Sequence, residues 1–198
     1  MPDLRVERWL AALIETPGLT SVRDPEEARR VHVDGALEAL PLLEDGPVVD
    51  VGSGGGSPGI PLAAARPDLD FDLLESNRRK CEFLRRVAEE FENAAALCVR
   101  AEDHARGEGR EAYAIALARA LAPPQVAAEW CLPLVRAGGR AILFVGPSAD
   151  RAAVAKASSL LGAELEDASG GFFLLRKTGS TPEQFPRRPG LARKRPLA

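Results

Sequence analysis

Rings are scarce in this chain. Of its 198 residues only 5% are aromatic, two of them tryptophan and one tyrosine, too few for the stacking platforms that single-strand-binding proteins lay under successive bases. Histidine occurs twice and cysteine three times, at Cys81, Cys98 and Cys131. The cysteines lie far apart with no C-x-x-C pair, which argues against both zinc ligation and a disulfide framework; three buried thiols and no metal site are expected. No run of about 18 uncharged apolar residues exists to span a bilayer, and the N-terminus, MPDLRVERWL, carries charges where a secretory signal needs an apolar stretch. The chain is therefore expected to be soluble and cytoplasmic, with no membrane partner. It also lacks a convincing His/Asp or Cys/His pair for acid–base or covalent chemistry.

What is present is 45% hydrophobic residues, enough for one compact domain over residues 1–198. Within it the sequence divides into a helical N-terminal extension (1–45), an α/β core (46–178) and a basic, proline-rich tail (179–198). The net charge of −3 hides an uneven distribution. From Arg176 to Ala198 there are seven basic residues and one acidic, so this end carries +6 and the remainder −9. Such a segment is expected to meet an anion, and its four prolines suit an extended arm lying along a phosphate backbone.

Ahead of residue 45, Leu4 to Thr16 and Asp24 to Leu43 read as helices, the second with Asp24 as N-cap and Pro25 in the first turn. Apolar and helical segments then alternate. Strands are expected at Val48 to Val51, Asp70 to Glu75, Ala95 to Val99, Tyr113 to Ala118, Arg140 to Val145 and Phe172 to Arg176. Helices are expected at Pro58 to Ala65, Asn77 to Glu92, Gln125 to Val135 and Asp150 to Leu161. In the helix from Asn77, Cys81, Leu84, Val87, Ala88 and Phe91 share one face. The alternation predicts a doubly wound α/β domain with a parallel sheet covered on both faces.

The stretch VVDVGSGGGSPGIP, Val48 to Pro61, holds five glycines and two prolines. It leaves the first strand, where ligands of doubly wound sheets sit. Glycine lets the backbone approach a ligand, and the prolines stiffen a helix start whose free N–H groups face outward. That ordering excludes a flexible linker. Read from Gly54 the string fits G-x-G-x-x-G, but in a dinucleotide site the first glycine follows the strand directly, and counting from Gly52 ends on Ser57. Counted from the strand it runs D-V-G-S-G-G-G and resembles the first motif of class I S-adenosylmethionine-dependent methyltransferases. Glu75, twenty-three positions after Gly52, is then placed where a carboxylate accepts from both ribose hydroxyls.

Further segments narrow the likeness. DVGSGGGSPGIPLA, LLESNRRKCEFLRRV, RAE (Arg100 to Glu102), ARA (Ala118 to Ala120) and FPRRPGLARKRPL resemble the glucose-inhibited division protein B family, Rossmann-like methyltransferases acting on guanine N7 in small-subunit ribosomal RNA. The resemblance implies S-adenosyl-L-methionine as cofactor and 16S rRNA or the 30S subunit as partner, with the chain a monomer. It implies a cofactor site of Asp50, Gly52, Ser53, Gly54, Gly56, Ser57, Glu75, Ser76, Ala101, Glu102 and Arg119. In that site Glu75 would hold the ribose, while Ala101 and Glu102 would border the adenine. Arg119 would position the methionine end or the RNA. Arg187, Arg188, Arg193, Lys194 and Arg195 would bind RNA.

Guanine N7 carries a free lone pair, so this methylation requires no general base, consistent with the shortage of reactive pairs. Rival methyltransferase chemistries leave marks that are missing: the loop after the fourth strand reads Ala122, Pro123, Pro124 and Gln125, without the polar acceptor and aromatic ring of exocyclic-amine methylases. The chain departs from the family pattern at Ala114, where an acidic residue is common, at Val145 in place of lysine, and at Gly35 and Ala36 within a D-S-L triplet. The departures at Ala114 and Val145 leave open a non-catalytic cofactor- or RNA-binding relative; a small-molecule methyltransferase and a dinucleotide dehydrogenase are the other readings.

Overall fold

Three valines and one aspartate, bounded by Gly46-Pro47 and Gly52, make Val48–Val51 a short fully buried strand. This strand, β1, is the middle of the fold in the computed structural model, which describes residues 3–167 and 170–198. Before it come α1 (Leu4–Glu15), α2 (Pro25–Arg29) and α3 (Gly35–Leu37). After it come α4 (Gly59–Ala65), β2 (Phe71–Leu74), α5 (Arg78–Ala88), β3 (Ala94–Leu97), α6 (Ala101–His104) and β4 (Tyr113–Arg119). Then follow α7 (Pro124–Cys131), β5 (Val135–Phe144), α8 (Arg151–Leu160), β6 (Ala163–Asp167), β7 (Phe172–Lys177) and α9 (Leu191–Lys194).

The sheet order is β3-β2-β1-β4-β5-β7-β6. Pairings from β3 across to β5 are parallel, as expected, and the chain switches direction across the sheet between β1 and β4. The expectation of a wholly parallel sheet is corrected at one edge. β7 is antiparallel to both β5 and β6, and β6 was not anticipated because Ala-Glu-Leu-Glu-Asp has little β-propensity of its own. The expected helix from Gln125 to Val135 ends at Cys131 and a 3₁₀ turn, Leu132–Leu134, since Pro133 cannot continue an α-helix. The expected long helix from Asp24 also breaks. It starts as read, with Asp24 accepting from the Glu27 N–H and Pro25 in the first turn, but Arg30–Asp34 form a π-turn before α3.

A second correction concerns the cysteines. Cys81 and Cys98 form a disulfide with Cα atoms 5.6 Å apart; Cys131 is free and buried. Their separation of 17 residues carries no local pattern. The parallel crossover from α5 through β3 brings the strand's end back beside the helix start.

The N-terminal helices are part of the core. Trp9, Leu10 and Leu13 of α1 pack with Ile60, Leu73 and Leu84, and the Trp9 indole N–H donates to the Gly55 carbonyl at 2.7 Å. The apolar face of α1 therefore rests on the glycine loop. Trp9 is 1% exposed, so Trp9→Ala should cost about 3–5 kcal/mol, while Trp9→Phe, which keeps most of the volume, should cost less. Urea denaturation of the two variants checks this.

Candidate functional site

Two clefts open at the carboxyl edge of the sheet, beside the switch between β1 and β4, and Gly52 lines both. The wider, about 310 Å³, is bounded by the ends of β1 and β2, the start of α6, and Leu121 and Trp130. The narrower, about 270 Å³, lies between the glycine loop, the end of β4, and residues Val31 and His32 of the π-turn.

The loop is held from below by two carboxylates. Asp50 is 1% exposed; its Oδ2 accepts from Ser53 Oγ at 2.6 Å and from the Gly59 N–H at 3.0 Å. Burial raises its pKa to about 6, against the opposing pull of those two hydrogen bonds. Glu75 accepts from the Gly54 N–H at 3.1 Å through one oxygen and from the Asn77 N–H at 2.6 Å through the other. A carboxylate has about four lone-pair sites, so acceptor capacity remains, although Glu75 is itself buried behind the lining residues Leu74 and Ser76 of the wider cleft.

Two glycines show why the loop needs this composition. Gly52 has φ +71, and a Cβ there would come within 2.3 Å of Leu121 Cδ1 on the wall of the wider cleft. Gly56 has φ +102 and would meet Trp9 Nε1 at 2.9 Å and Ile60 at 2.8 Å. The first position faces a ligand space, whereas the second faces the core.

Arg119, at the end of β4, is half-buried. It donates from Nη1 to Ser57 Oγ at 3.0 Å and from Nη2 to the Val31 carbonyl at 2.6 Å, and stands over the Phe144 ring at 5.7 Å. Burial lowers its pKa, partly offset by Asp50 and Glu38. No ion pair to it is found among the described residues. Two anchors of five N–H donors fix the guanidinium while leaving donors for an anion. The next residue, Ala120, has φ +51, a strained conformation for a side-chain-bearing residue. It lies between Arg119, in the narrower cleft, and Leu121, in the wider.

The expected site residues thus separate by role. Gly52, Ser76, Ala101 and Glu102 line the wider cleft, and Gly52, Ser53, Gly54, Ser57 and Arg119 the narrower. Asp50 and Gly56 lie beneath the loop and support it. Among the basic residues expected to touch RNA, Arg188, Arg193, Lys194 and Arg195 are exposed. Arg187 is bound to the buried Glu129, its Nε donating at 2.6 Å. Arg193 stacks over Trp130 at 5.5 Å and donates to the Leu121 carbonyl at 2.9 Å. The tail is docked and ends in α9, which corrects the expectation of an extended arm.

Trp130, Leu121, Lys80 and His32 also line the clefts and were not among the expected site residues. His32 lines the narrower cleft, its Nε2 2.8 Å from Thr20 Oγ1, with its pKa lowered by burial and by Arg119. Trp130 and Lys80 carried no local signal, since α7 and α5 bring them to the edge only in three dimensions. Ala114 is 3% exposed near the amino end of β4, packed beneath Gly46, so its departure from the family pattern falls in the core.

The arrangement fits a nucleoside-bearing ligand: a loop position without Cβ between two clefts, a carboxylate with spare lone pairs behind it, the Trp130 ring on the wall of the wider cleft, and a fixed cation across from it. Comparison with known proteins agrees. Residues 6–170 match the model of the family described as rRNA small subunit methyltransferase G. The chain is 41% identical to the ribosomal RNA small subunit methyltransferase G of Pelotomaculum thermopropionicum, over 96% of this chain and 89% of that one. With the protein of the same name from Synechococcus elongatus it shares 38% identity over 90% and 82%. Among solved structures, CalO1, a methyltransferase in calicheamicin biosynthesis in its SAH-bound form, superposes with TM-score 0.57 at 14% identity, over 78% of this chain and 56% of that one. That likeness concerns the fold.

The buried Asp50 yields a pH prediction. A folded-state pKa of about 6, above the ordinary 3.8, means the folded protein binds this proton more tightly than the unfolded chain. Its contribution to stability therefore falls as pH rises from about 4 to 6. The stability difference between wild type and Asp50→Asn should drop by about 1–3 kcal/mol across that window, read from urea denaturation at each pH.

Proposed function

The chain belongs to the rRNA small subunit methyltransferase G family, and from that membership we propose how its two clefts divide the work of an S-adenosylmethionine-dependent enzyme that methylates small-subunit ribosomal RNA at guanine N7. The observation that carries the division is the junction at Gly52, with Glu75 behind the wider cleft and the unpaired Arg119 in the narrower.

In this reading the wider cleft holds the adenosine part of the cofactor. Glu75 takes the ribose hydroxyls on its remaining lone pairs, Ala101 and the free oxygen of Glu102 border the adenine, and Ser76 stands at the rim. The loop N–H groups from Gly52 to Ser57 face the amino-acid part. When bound, the cofactor supplies an electrophilic methyl group. The target guanine enters the narrower cleft past His32 and Lys80, and Arg119 grips an anionic oxygen, of the cofactor's carboxylate or of the RNA. The nucleophilic nitrogen already carries its lone pair, so no side chain has to remove a proton. The protein's task is alignment, which can contribute up to about 7–11 kcal/mol.

The exposed Arg188, Lys194 and Arg195 then meet RNA phosphates beside the cleft mouth. The substrate is 16S rRNA, free or within the 30S subunit, and the chain acts as a cytoplasmic monomer, one domain from residue 1 to 198. Among the described residues no helix is long and apolar enough to cross a membrane.

The test is transfer of labelled methyl groups to 30S subunits and to naked 16S rRNA lacking the modification, with mass spectrometry to locate the product. N7-methylguanine should form with wild type, and Arg119→Ala should lose about 10²-fold or more in kcat/KM while keeping its fold by circular dichroism. Methylation at another atom, or an Arg119→Ala variant as active as wild type, would overturn the assignment.

A further inference from the structure

The segment expected to be a free basic arm is instead built into the wall of the wider cleft. On one side that cleft is lined by Gly52, Ser76 and Ala101; on the other it is closed by Trp130, Gly190 and Arg193. The last two lie more than a hundred residues after the glycine loop, in a stretch whose composition had pointed only to RNA.

The docking is specific. Two buried acids receive the tail: Glu129, 2% exposed, binds the Arg187 guanidinium through both oxygens, and Glu102, 5% exposed, accepts the Gly190 N–H at 3.0 Å. Buried carboxylates are costly unless paired and hydrogen-bonded, so these two are matched to the segment that meets them. From the body, Arg110 donates to the carbonyls of Phe185 and Thr181, each at 2.8 Å, and Arg106 to that of Arg187 at 2.7 Å. An arm serving only to trail along phosphates needs none of these ties. At its end the Arg193 guanidinium covers the Trp130 ring and bonds to the Leu121 carbonyl. The indole nitrogen of Trp130 is buried and has no hydrogen-bond partner among the described residues, so the cleft meets the carbon atoms of the ring.

We propose that the tail is a cofactor-binding element: the Gly190 turn and the Arg193–Trp130 stack form the outer wall of the adenine end of the cleft, shielding the ring from water. The inference rests on reading the wider cleft as the place of the adenosine. It makes Gly190, Arg193 and Trp130 positioning residues for the cofactor, independent of any contact that Arg188, Lys194 and Arg195 make with RNA.

S-adenosylhomocysteine binding, measured by calorimetry without RNA, tests the proposal on the full chain. Wild type should bind. Arg193→Ala should weaken binding about five- to twentyfold and Trp130→Phe, which keeps an aromatic ring but narrows the wall, about threefold or more. Lys156→Ala, removing an equally exposed cation on α8, should leave it unchanged. A chain truncated after Thr178 should lose binding, but it exposes Glu102 and Glu129 and can unfold, so the exposed Arg193 is the decisive site. Arg193→Ala and Trp130→Phe binding as tightly as wild type would overturn the proposal while leaving the cleft assignment intact. A wild-type chain that binds no S-adenosylhomocysteine would overturn the cleft assignment itself.

Discussion

At the carboxyl edge of the sheet, a turn made almost entirely of backbone has to keep one shape while its N–H groups stay available to a ligand. Two carboxylates achieve this from behind. Asp50 spans the loop's two ends, taking Ser53 on one side and the first N–H of α4 on the other. Glu75 takes the Gly54 N–H from the neighbouring strand. Asp50 is on a strand buried along its whole length, where ionisation is opposed by desolvation. A buried charge tolerated for its hydrogen bonds has few alternative arrangements, and the loop inherits that restriction.

The same loop is pressed from above. Trp9 and Leu13 of α1 lie against Gly55 and Gly56, the indole bonding to the Gly55 carbonyl. The π-turn that follows α2 delivers Val31 and His32, one anchoring Arg119 through its carbonyl and the other lining the cleft. The N-terminal helices are thus a second layer of the site. Among the described residues Arg119 is hydrogen-bonded to one hydroxyl and one carbonyl and makes no ion pair, so its charge is left for whatever enters.

How much of this could be read beforehand followed the range of the interactions. The Asp24 cap, the strand at Val48 and the glycine frame from Gly52 are local, and each was legible. Glu75 was legible because consecutive parallel strands in a doubly wound sheet end side by side. The reversal of β7 was not, since an apolar strand such as Phe172–Lys177 reads alike in either direction. The Cys81–Cys98 bond, the arrival of Trp130 at the cleft and the docking of the tail all depend on which elements the crossover connections bring together. The tail misled for a further reason: a run of arginines looks the same whether its partners are phosphates or a buried acid and an indole ring elsewhere in the chain. Arg187 turns to Glu129, and Arg193, though exposed, lies over Trp130; neither contact leaves a local signal.

Docking also changes what the uneven charge of the chain means. Along the sequence it separates an acidic body of −9 from a basic end of +6; in the folded molecule it sets exposed cations beside one cleft of an otherwise anionic particle. Such a particle carries a dipole moment. In the field of a polyanion the dipole experiences a torque before any contact forms, turning the cleft mouth forward and the acidic surface away. The net repulsion between two negatively charged partners then discourages collisions in the wrong orientation, and encounter is selective before recognition begins.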